Sequence, residues 1–307
     1  MNKKNIERHL NKKFHDFASS IKDDEVRDLV KDNSLICGGA IASLLMGEKV
    51  NDYDIYFTNM ETVVKVAEYY VAQYRKINKN PSGNIEVKTY ENRVSIQIKS
   101  SGISSNTDEN YQYFESTDGD EAQSFIENTL EGLDDIPADQ LKDHHEQEEE
   151  KLYIPLFLTQ NAITLSDDIQ LVIRFFGSSS EIHENFDYEH TKMSWNSRTG
   201  TLTTRKSALE SLITKDLQYT GSKYPLCSLF RMRKYINRGW TINAGEIFKM
   251  GYQISNLNLS DTDILEDQLI GVDTAYFSEL VSILRKDKKD GKSIDQTYIM
   301  SLVDKIF

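Results

Sequence analysis

The sequence predicts an α+β fold, a mixed β-sheet with flanking helices followed by a smaller all-α domain. Three observations carry that expectation. Near the start, short apolar runs alternate with stretches of helical spacing. Two later segments read as hairpins, and from about Leu209 to the end the apolar pattern is helical throughout. At 307 residues the chain is long enough for two domains. The expected boundaries are 1–32 for leading helices, 33–215 for the sheet-bearing part with an insertion at 101–151, and 216–307 for the helical domain.

Within residues 6–31, Ile6, Leu10, Phe14, Phe17, Ile21 and Val26 recur among charges at helical spacing. "SLICGG" then reads as a strand running into a turn, "AIASLLMG" as a short helix stopped by Gly47, and "DYDIYFT" as a second strand. "METVVKVAEYYVAQYRK" returns to the helical period. "NIEVKTYENRVSIQIKS" alternates about a polar centre as a hairpin does, and so does "NAITLSDDIQLVIRFFG" with its Ser-Asp-Asp turn. Past Leu209 the helices are separated by Gly, Asn and Asp breaks near 239, 243 and 256–263.

The formal charge of −13 argues at first against a nucleic-acid partner. Residues 108–150, however, hold 16 Asp and Glu against one Lys, a net of −15, so the rest of the chain carries +2. That segment, with "HHEQEEEK", reads as a solvated, partly disordered insertion, or else as a metal- or partner-binding element using His144 and His145. No apolar run is long enough to cross a bilayer, and the first residues lack the apolar centre of a secretion signal, so a cytoplasmic protein is expected. Cys37 and Cys227 have no CxxC spacing and read as reduced, buried thiols. There is no Gly-x-Ser-x-Gly elbow, and His183 and His190 read as ordinary surface or core histidines.

The chemistry concentrates in "LICGGAIASLLMGEKVNDYDIYF". In a strand, residues two apart share a face, so Asp52 and Asp54 point the same way and Tyr53 the other. Two such carboxylates repel unless a cation joins them, and magnesium commonly takes one or two carboxylates with water and substrate phosphate. The plainer reading has Asp52 capping the start of the strand and Asp54 facing solvent. Gly38 and Gly39 precede a short helix, where bare backbone N–H groups can approach a triphosphate, or where the pair simply makes a tight turn.

The stretch resembles the DNA polymerase β-like nucleotidyltransferase superfamily, most closely its branch of tRNA CCA-adding enzymes and bacterial poly(A) polymerases. The counterparts are Gly38-Gly39, Leu44-Leu45-Met46-Gly47 and Asp52-Tyr53-Asp54, with thirteen steps from Gly39 to Asp52. "FDYEH", Phe186 to His190, is similar to the branch's Arg-Asp-Phe-Thr motif, which implies that Asp187 lies by the nucleotide. Tyr224 to Ile242 is similar to an Asp-Pro-Leu helix ending in Gly-aromatic-x-Ile, with Pro225, Leu226, Arg233 and Gly239 on matching positions. The resemblance covers about residues 35–242 apart from the insertion, and extends to nucleotidyltransferase-like proteins of large bacteriophages, which implies a viral origin. Departures are Ala42-Ser43 in place of Arg-Asp, Asn185-Phe186 for a doubled Arg, and Tyr224 and Cys227 for an Asp and an Arg. The third metal carboxylate of the family has two candidates, Asp168 and Asp187, while the strand interior offers Gln170.

The resemblance thus implies a nucleotidyltransferase palm and a metal-dependent transfer of a nucleoside monophosphate from an NTP to an acceptor hydroxyl, an RNA 3′ end first. Asp52 and Asp54 would be catalytic and hold Mg²⁺ or Mn²⁺, with Gly38, Gly39, Ser43, Asp187 and Arg233 at the nucleotide. On the helix from Pro225 to Trp240, spacing puts Leu229, Met232, Ile236 and Trp240 on one face and Arg231, Lys234 and Arg238 on the other, a basic stripe for the acceptor, RNA or tRNA. Arg233 falls near the apolar edge. The alternative is an inactive nucleotide-binding or partner-docking protein on the same scaffold, with a protein partner meeting the acidic insertion.

Overall fold

The computed structural model describes residues 2–77, 84–99, 153–269, 274–292 and 294–306. The acidic insertion, His144 and His145 included, lies outside the described residues. What is described is a mixed α+β structure in two compact units, one of residues up to 186 together with 190–213, the other of 187–189 with the residues from 214 onward.

The first unit starts with α1 (Lys3–Ser20) and α2 (Asp24–Asn33). Asn2 caps α1 by accepting from the Asn5 N–H, and Asp23 caps α2 by accepting from Val26. Ile6, Leu10, Phe14 and Phe17 of α1 are buried, as their spacing requires. Next come β1 (Ser34–Cys37), α3 (Gly39–Met46), β2 (Tyr53–Phe57) and α4 (Met60–Ile77). Gly47 closes α3 in a left-handed conformation, φ 73°, which an L side chain adopts at a cost. The hairpin of β3 (Asn84–Tyr90) and β4 (Arg93–Lys99) stands as its own two-stranded sheet.

The main sheet is completed by β5 (Pro155–Leu158), β6 (Ala162–Leu165), β7 (Ile169–Phe176), β8 (Ser194–Asn196) and β9 (Thr201–Thr203), in the order β5-β6-β7-β2-β1-β8-β9. β2 and β7 run parallel; the other pairings are antiparallel. β1 and β2 are therefore central, and all four residues of β1 are buried. One face of the sheet carries Ile36, Ile55, Leu171 and Trp195, with α1 supplying Phe14, 5.2 Å from the Trp195 ring between centroids, and Phe17, 5.8 Å from Tyr153. On the other face Leu35, Cys37 and Tyr56 pack with Ile182, Val172, Phe175 and Phe186, below the short helix α5 (Ser179–His183) and its capping box of Ser178 and Glu181. The unit ends with α6 (Lys206–Thr214).

The second unit holds α7 (Pro225–Asn237), α8 (Ala244–Ser255), α9 (Thr262–Leu269), α10 (Thr274–Lys289) and α11 (Gln296–Ile306). Leu265, Leu269, Leu280, Leu284 and Leu302 form its core, with Leu226 and Phe230 of α7 against it. Two expectations are corrected here. The chain after α6 is not helical until Pro225: Lys215 and Gly221 take φ of 51° and 96°, and the stretch bridges Asp216 to Thr241 and Tyr219 to Tyr188. Leu217 and Tyr219, both buried, alternate at the period of a strand rather than a helix. The helix from Pro225 also stops at Asn237, because Gly239 at φ 79° turns the chain and sends Trp240 into a buried contact with Tyr235, ring centroids 5.7 Å apart. No described helix is long and apolar enough to cross a membrane.

Phe17 is fully buried between α1 and the sheet. Phe17→Ala is expected to cost about 3–5 kcal/mol of unfolding free energy, read as a lower urea midpoint at unchanged slope.

Candidate functional site

Gly38 and Asp54 meet at the centre of the sheet. Cys37, the last residue of β1, is the register partner of Asp54, and on the other side Asp54 lies across from Gln170 of β7. Directly after Cys37 the chain turns through Gly38, φ 84° and ψ −141°, a region nearly closed to side chains. A Cβ added at Gly38 would sit 3.6 Å from Asp54 Oδ2 and 3.8 Å from the Phe186 ring. These are ordinary contact distances, so it is the φ of Gly38, not crowding, that reserves the position for glycine. Gly39 begins α3, where a Cβ would meet nothing within 4 Å, and its N-cap, Gly38, has no side chain with which to cap the helix. Its first N–H groups have no partner within the helix and carry its positive end.

Asp54 is half-buried and shares its face with Tyr56, whose ring lies 5.7 Å from that of Phe186; Phe186 is in turn 5.3 Å from His183. Burial, and secondarily the charge of Asp54, push the Cys37 thiol far above its ordinary pKa, so it stays protonated and unreactive. Asp52 is exposed, one residue before β2 begins. Tyr53 between them is buried on the opposite face and donates its N–H to the Asp168 carbonyl at 2.7 Å.

Asp54 has the donor chemistry of a Mg²⁺ ligand, a carboxylate that leaves positions for water and phosphate oxygens, and Asp52, one residue before the strand, is an exposed carboxylate. Among the described residues no cluster of three His, Cys, Asp or Glu has metal-holding geometry. The residue across from Asp54 is the amide Gln170. Asp168 sits in the β6–β7 turn with φ 55°; burial raises its pKa, and the charges acting on it are Lys13, Asp167 and Lys49. Ser43 is buried within α3, where its carbonyl accepts the Glu48 N–H at 2.9 Å.

The remaining sequence-derived residues lie in the second unit. Asp187 is buried and accepts from Arg231 Nη1 at 2.8 Å, while its carbonyl accepts the Thr220 N–H at 2.8 Å. Arg231 therefore turns inward on α7, in line with Cys227, Ser228 and Tyr235, where Tyr188 donates its hydroxyl to the Ser228 carbonyl at 2.7 Å. Arg233 is the exposed one, reversing the two positions expected from spacing. Ile236 is also 44% exposed, so the apolar stripe runs one position away from the one expected. Lys234 is half-buried and Arg238, the C-cap, is exposed.

A model described as Gad2, the Gabija anti-defense 2 family protein, matches residues 8–215. No curated protein matches the sequence. Among solved structures the chain is similar to the Thermotoga maritima CCA-adding enzyme complexed with tRNA, at 12% identity and a TM-score of 0.38 over 90% of this chain and 54% of that one. The Bacillus stearothermophilus CCA-adding enzyme in complex with CTP gives 10% and 0.39 over 87% and 51%. A tRNA nucleotidyltransferase complexed with a primer tRNA and an incoming ATP analog gives 11% and 0.35 over 87% and 62%. The chain spans about half the length of the first two.

Adjacent glycines should behave oppositely. Gly38→Ala is expected to cost about 1–3 kcal/mol in a denaturant titration because of its φ. Gly39→Ala, with open space and helical φ, should be neutral within about 1 kcal/mol. In the second unit, Arg231→Met strands the buried Asp187 carboxylate and should lower stability by about 1–3 kcal/mol, with Asp187→Asn in the same background recovering part of it.

Proposed function

The chain belongs to the Gabija anti-defense 2 family, and from the geometry of the site we propose that it is a metal-dependent nucleotidyltransferase that moves a nucleoside monophosphate from an NTP to an acceptor hydroxyl. The observation that carries this reading is the carboxylate of Asp54 beside the side-chain-free turn at Gly38, at the start of α3. An anionic side chain and an anion-attracting helix start within reach of one another suit a cation and a polyphosphate bound together, each compensating the charge of the other.

In this reading Asp52 and Asp54 hold Mg²⁺ or Mn²⁺, which when bound lowers the charge barrier to attack at the α-phosphate. The backbone of Gly38 and Gly39 binds phosphate oxygens, and Phe186 walls the site on its apolar side. Ser43 belongs to the same nucleotide-binding helix. Asp187 and Arg233 bind nucleotide, and Arg231, Lys234 and Arg238 serve the acceptor. In Arg231 that role competes with its bond to Asp187, so acceptor binding would draw on Lys234 and the exposed Arg238 first. The first acceptor is an RNA 3′ end, tRNA included, with a protein side chain or a small molecule next. A bacteriophage origin, work in the host cytoplasm and interference with the Gabija defense that the family is named for belong to the same proposal, as does a protein partner at the acidic insertion.

Gln170 favours a second reading. An amide across from Asp54 supplies no third negative charge, which suits a protein that binds nucleotide without transferring it.

Labelled nucleotide transfer to total RNA or protein, with Mg²⁺ or Mn²⁺, separates the two. Asp52→Ala with Asp54→Ala is expected to lower incorporation at least about a thousandfold, the several kcal/mol a held metal contributes. Nucleotide binding by the wild type with no transfer to any acceptor would establish the second reading instead.

A further inference from the structure

Behind the acid pair, on the core side of β2, lies a polar cluster that the chemistry above does not use. Lys13 of α1 donates from Nζ to both the carbonyl and Oδ2 of Asp167, each at 2.6 Å. Its ammonium also stands over the rings of Tyr53 and Tyr153, 5.2 and 5.6 Å from their centroids. The Lys13 side chain is only 15% exposed, so these contacts act in a partly dehydrated setting where they are stronger than at a surface. His9, one helical turn earlier, lies 2.6 Å from the Tyr53 hydroxyl through Nε2. Tyr53 is thus held at its hydroxyl by His9, at its ring by Lys13 and at its N–H by the Asp168 carbonyl.

The turn that supplies this carbonyl uses a left-handed backbone that Asp tolerates better than most residues but at some cost. Asp167 and Asp168 both take left-handed φ, 61° and 55°, a conformation that costs a residue with a Cβ and persists only when its surroundings hold it. Lys13 binds it through backbone and side chain of Asp167, and Tyr153 bonds the same side chain. Burial works against the charge of Asp167, and the bonds from Lys13 and Tyr153 outweigh that and keep its pKa below the ordinary carboxylate value. On the far side, burial and the charges of Asp168 and Asp167 push the Tyr53 hydroxyl up to about 12, so it stays a neutral partner for His9.

We propose that Lys13 is a positioning residue for the Asp52–Asp54 pair: by clamping the Asp167–Asp168 turn and the Tyr53 ring, it fixes the backbone on which both carboxylates ride. That this serves metal binding rests on the nucleotidyltransferase reading; the clamp itself does not. Asp52 precedes the strand and Asp54 is its second residue, so the bond from the Tyr53 N–H to the turn holds the backbone between the two acids. A shift of the turn moves both acids together relative to Gly38, without altering the glycine turn.

The test uses the full chain with Lys13→Met, which keeps the apolar stem and removes the ammonium, Lys13→Arg, which keeps a cation, and the exposed neighbour Lys12→Met as control. Hydrogen exchange followed by mass spectrometry should rise at least about tenfold in a peptide covering residues 52–57 of Lys13→Met, and stay at the wild-type rate in one covering residues 194–203. Mn²⁺ affinity, read by electron paramagnetic resonance, should fall about tenfold, with Lys13→Arg recovering part of both effects and Lys12→Met showing neither. In transfer assays the Mn²⁺ concentration for half-maximal rate should rise more than the maximal rate falls. Unchanged exchange at 52–57, or an equal rise at 194–203, overturns the clamp. A wild-type chain that takes up no Mn²⁺ overturns the nucleotidyltransferase reading instead, and exchange alone then decides the clamp.

Discussion

A half-buried carboxylate at the middle of a seven-stranded sheet is the constraint around which the first unit is arranged. A charge in that position is costly unless something compensates it. Its strand neighbours, Cys37 and Gln170, carry no formal charge. What the fold provides is the start of α3, brought next to Asp54 by a glycine whose φ no ordinary residue would accept. The glycine turn, the direction of the helix and the burial of the acid are consequences of one another.

The two faces of β2 divide the work. Tyr53, Ile55 and Phe57 face the large apolar core under α1, so the strand is anchored by burial before any polar contact is counted. Asp54 and Tyr56 face the smaller cluster with Cys37, Ile182 and Phe186. Because side chains alternate strictly, an acid cannot occupy one face without its neighbour committing to the other. Tyr53 is the consequence: its buried body joins the core while its hydroxyl reaches His9, so a residue wedged between two acids becomes the point where the first helix meets the site.

Most of this was legible in the sequence, for identifiable reasons. The periodicities of α1, α3 and α4 and the alternation of β2, β3, β4, β6 and β7 are local and strong, and the glycine pair followed by two acids can be read without a partner. β5, β8 and β9 are short and escaped notice because no alternating run beside them extends their pattern, whereas the four-residue β6 is read with β7 across the Ser-Asp-Asp turn. The extended stretch before Pro225 was hidden by its apolar content, which a helix would share; Leu217 and Tyr219 reveal it only once Tyr188 and Thr241 are known to lie alongside. Arg231 and Arg233 exchanged places for a similar reason. Which side of α7 is inside depends on the buried carboxylate of Asp187, more than forty residues away along the chain. Lys13 carried no local signal, being one of several lysines on an amphipathic helix until Asp167 comes to meet it.

Gln170 gives the charge balance its direction. Two carboxylates neutralise one divalent ion, leaving no net attraction for a second cation and no net repulsion of a polyphosphate. A third carboxylate across from Asp54 would add a full negative charge within a poorly hydrated sheet and raise the cost of keeping Asp54 ionised without metal. An amide there removes this penalty and keeps an oxygen able to accept or ligate. On the proposed nucleotidyltransferase reading the site is then tolerable empty, and it would gain its cation most favourably together with a nucleotide, whose phosphates would fill the coordination positions that two carboxylates leave open. Metal and nucleotide affinities on such a site are reciprocal, each raising the other by the same factor.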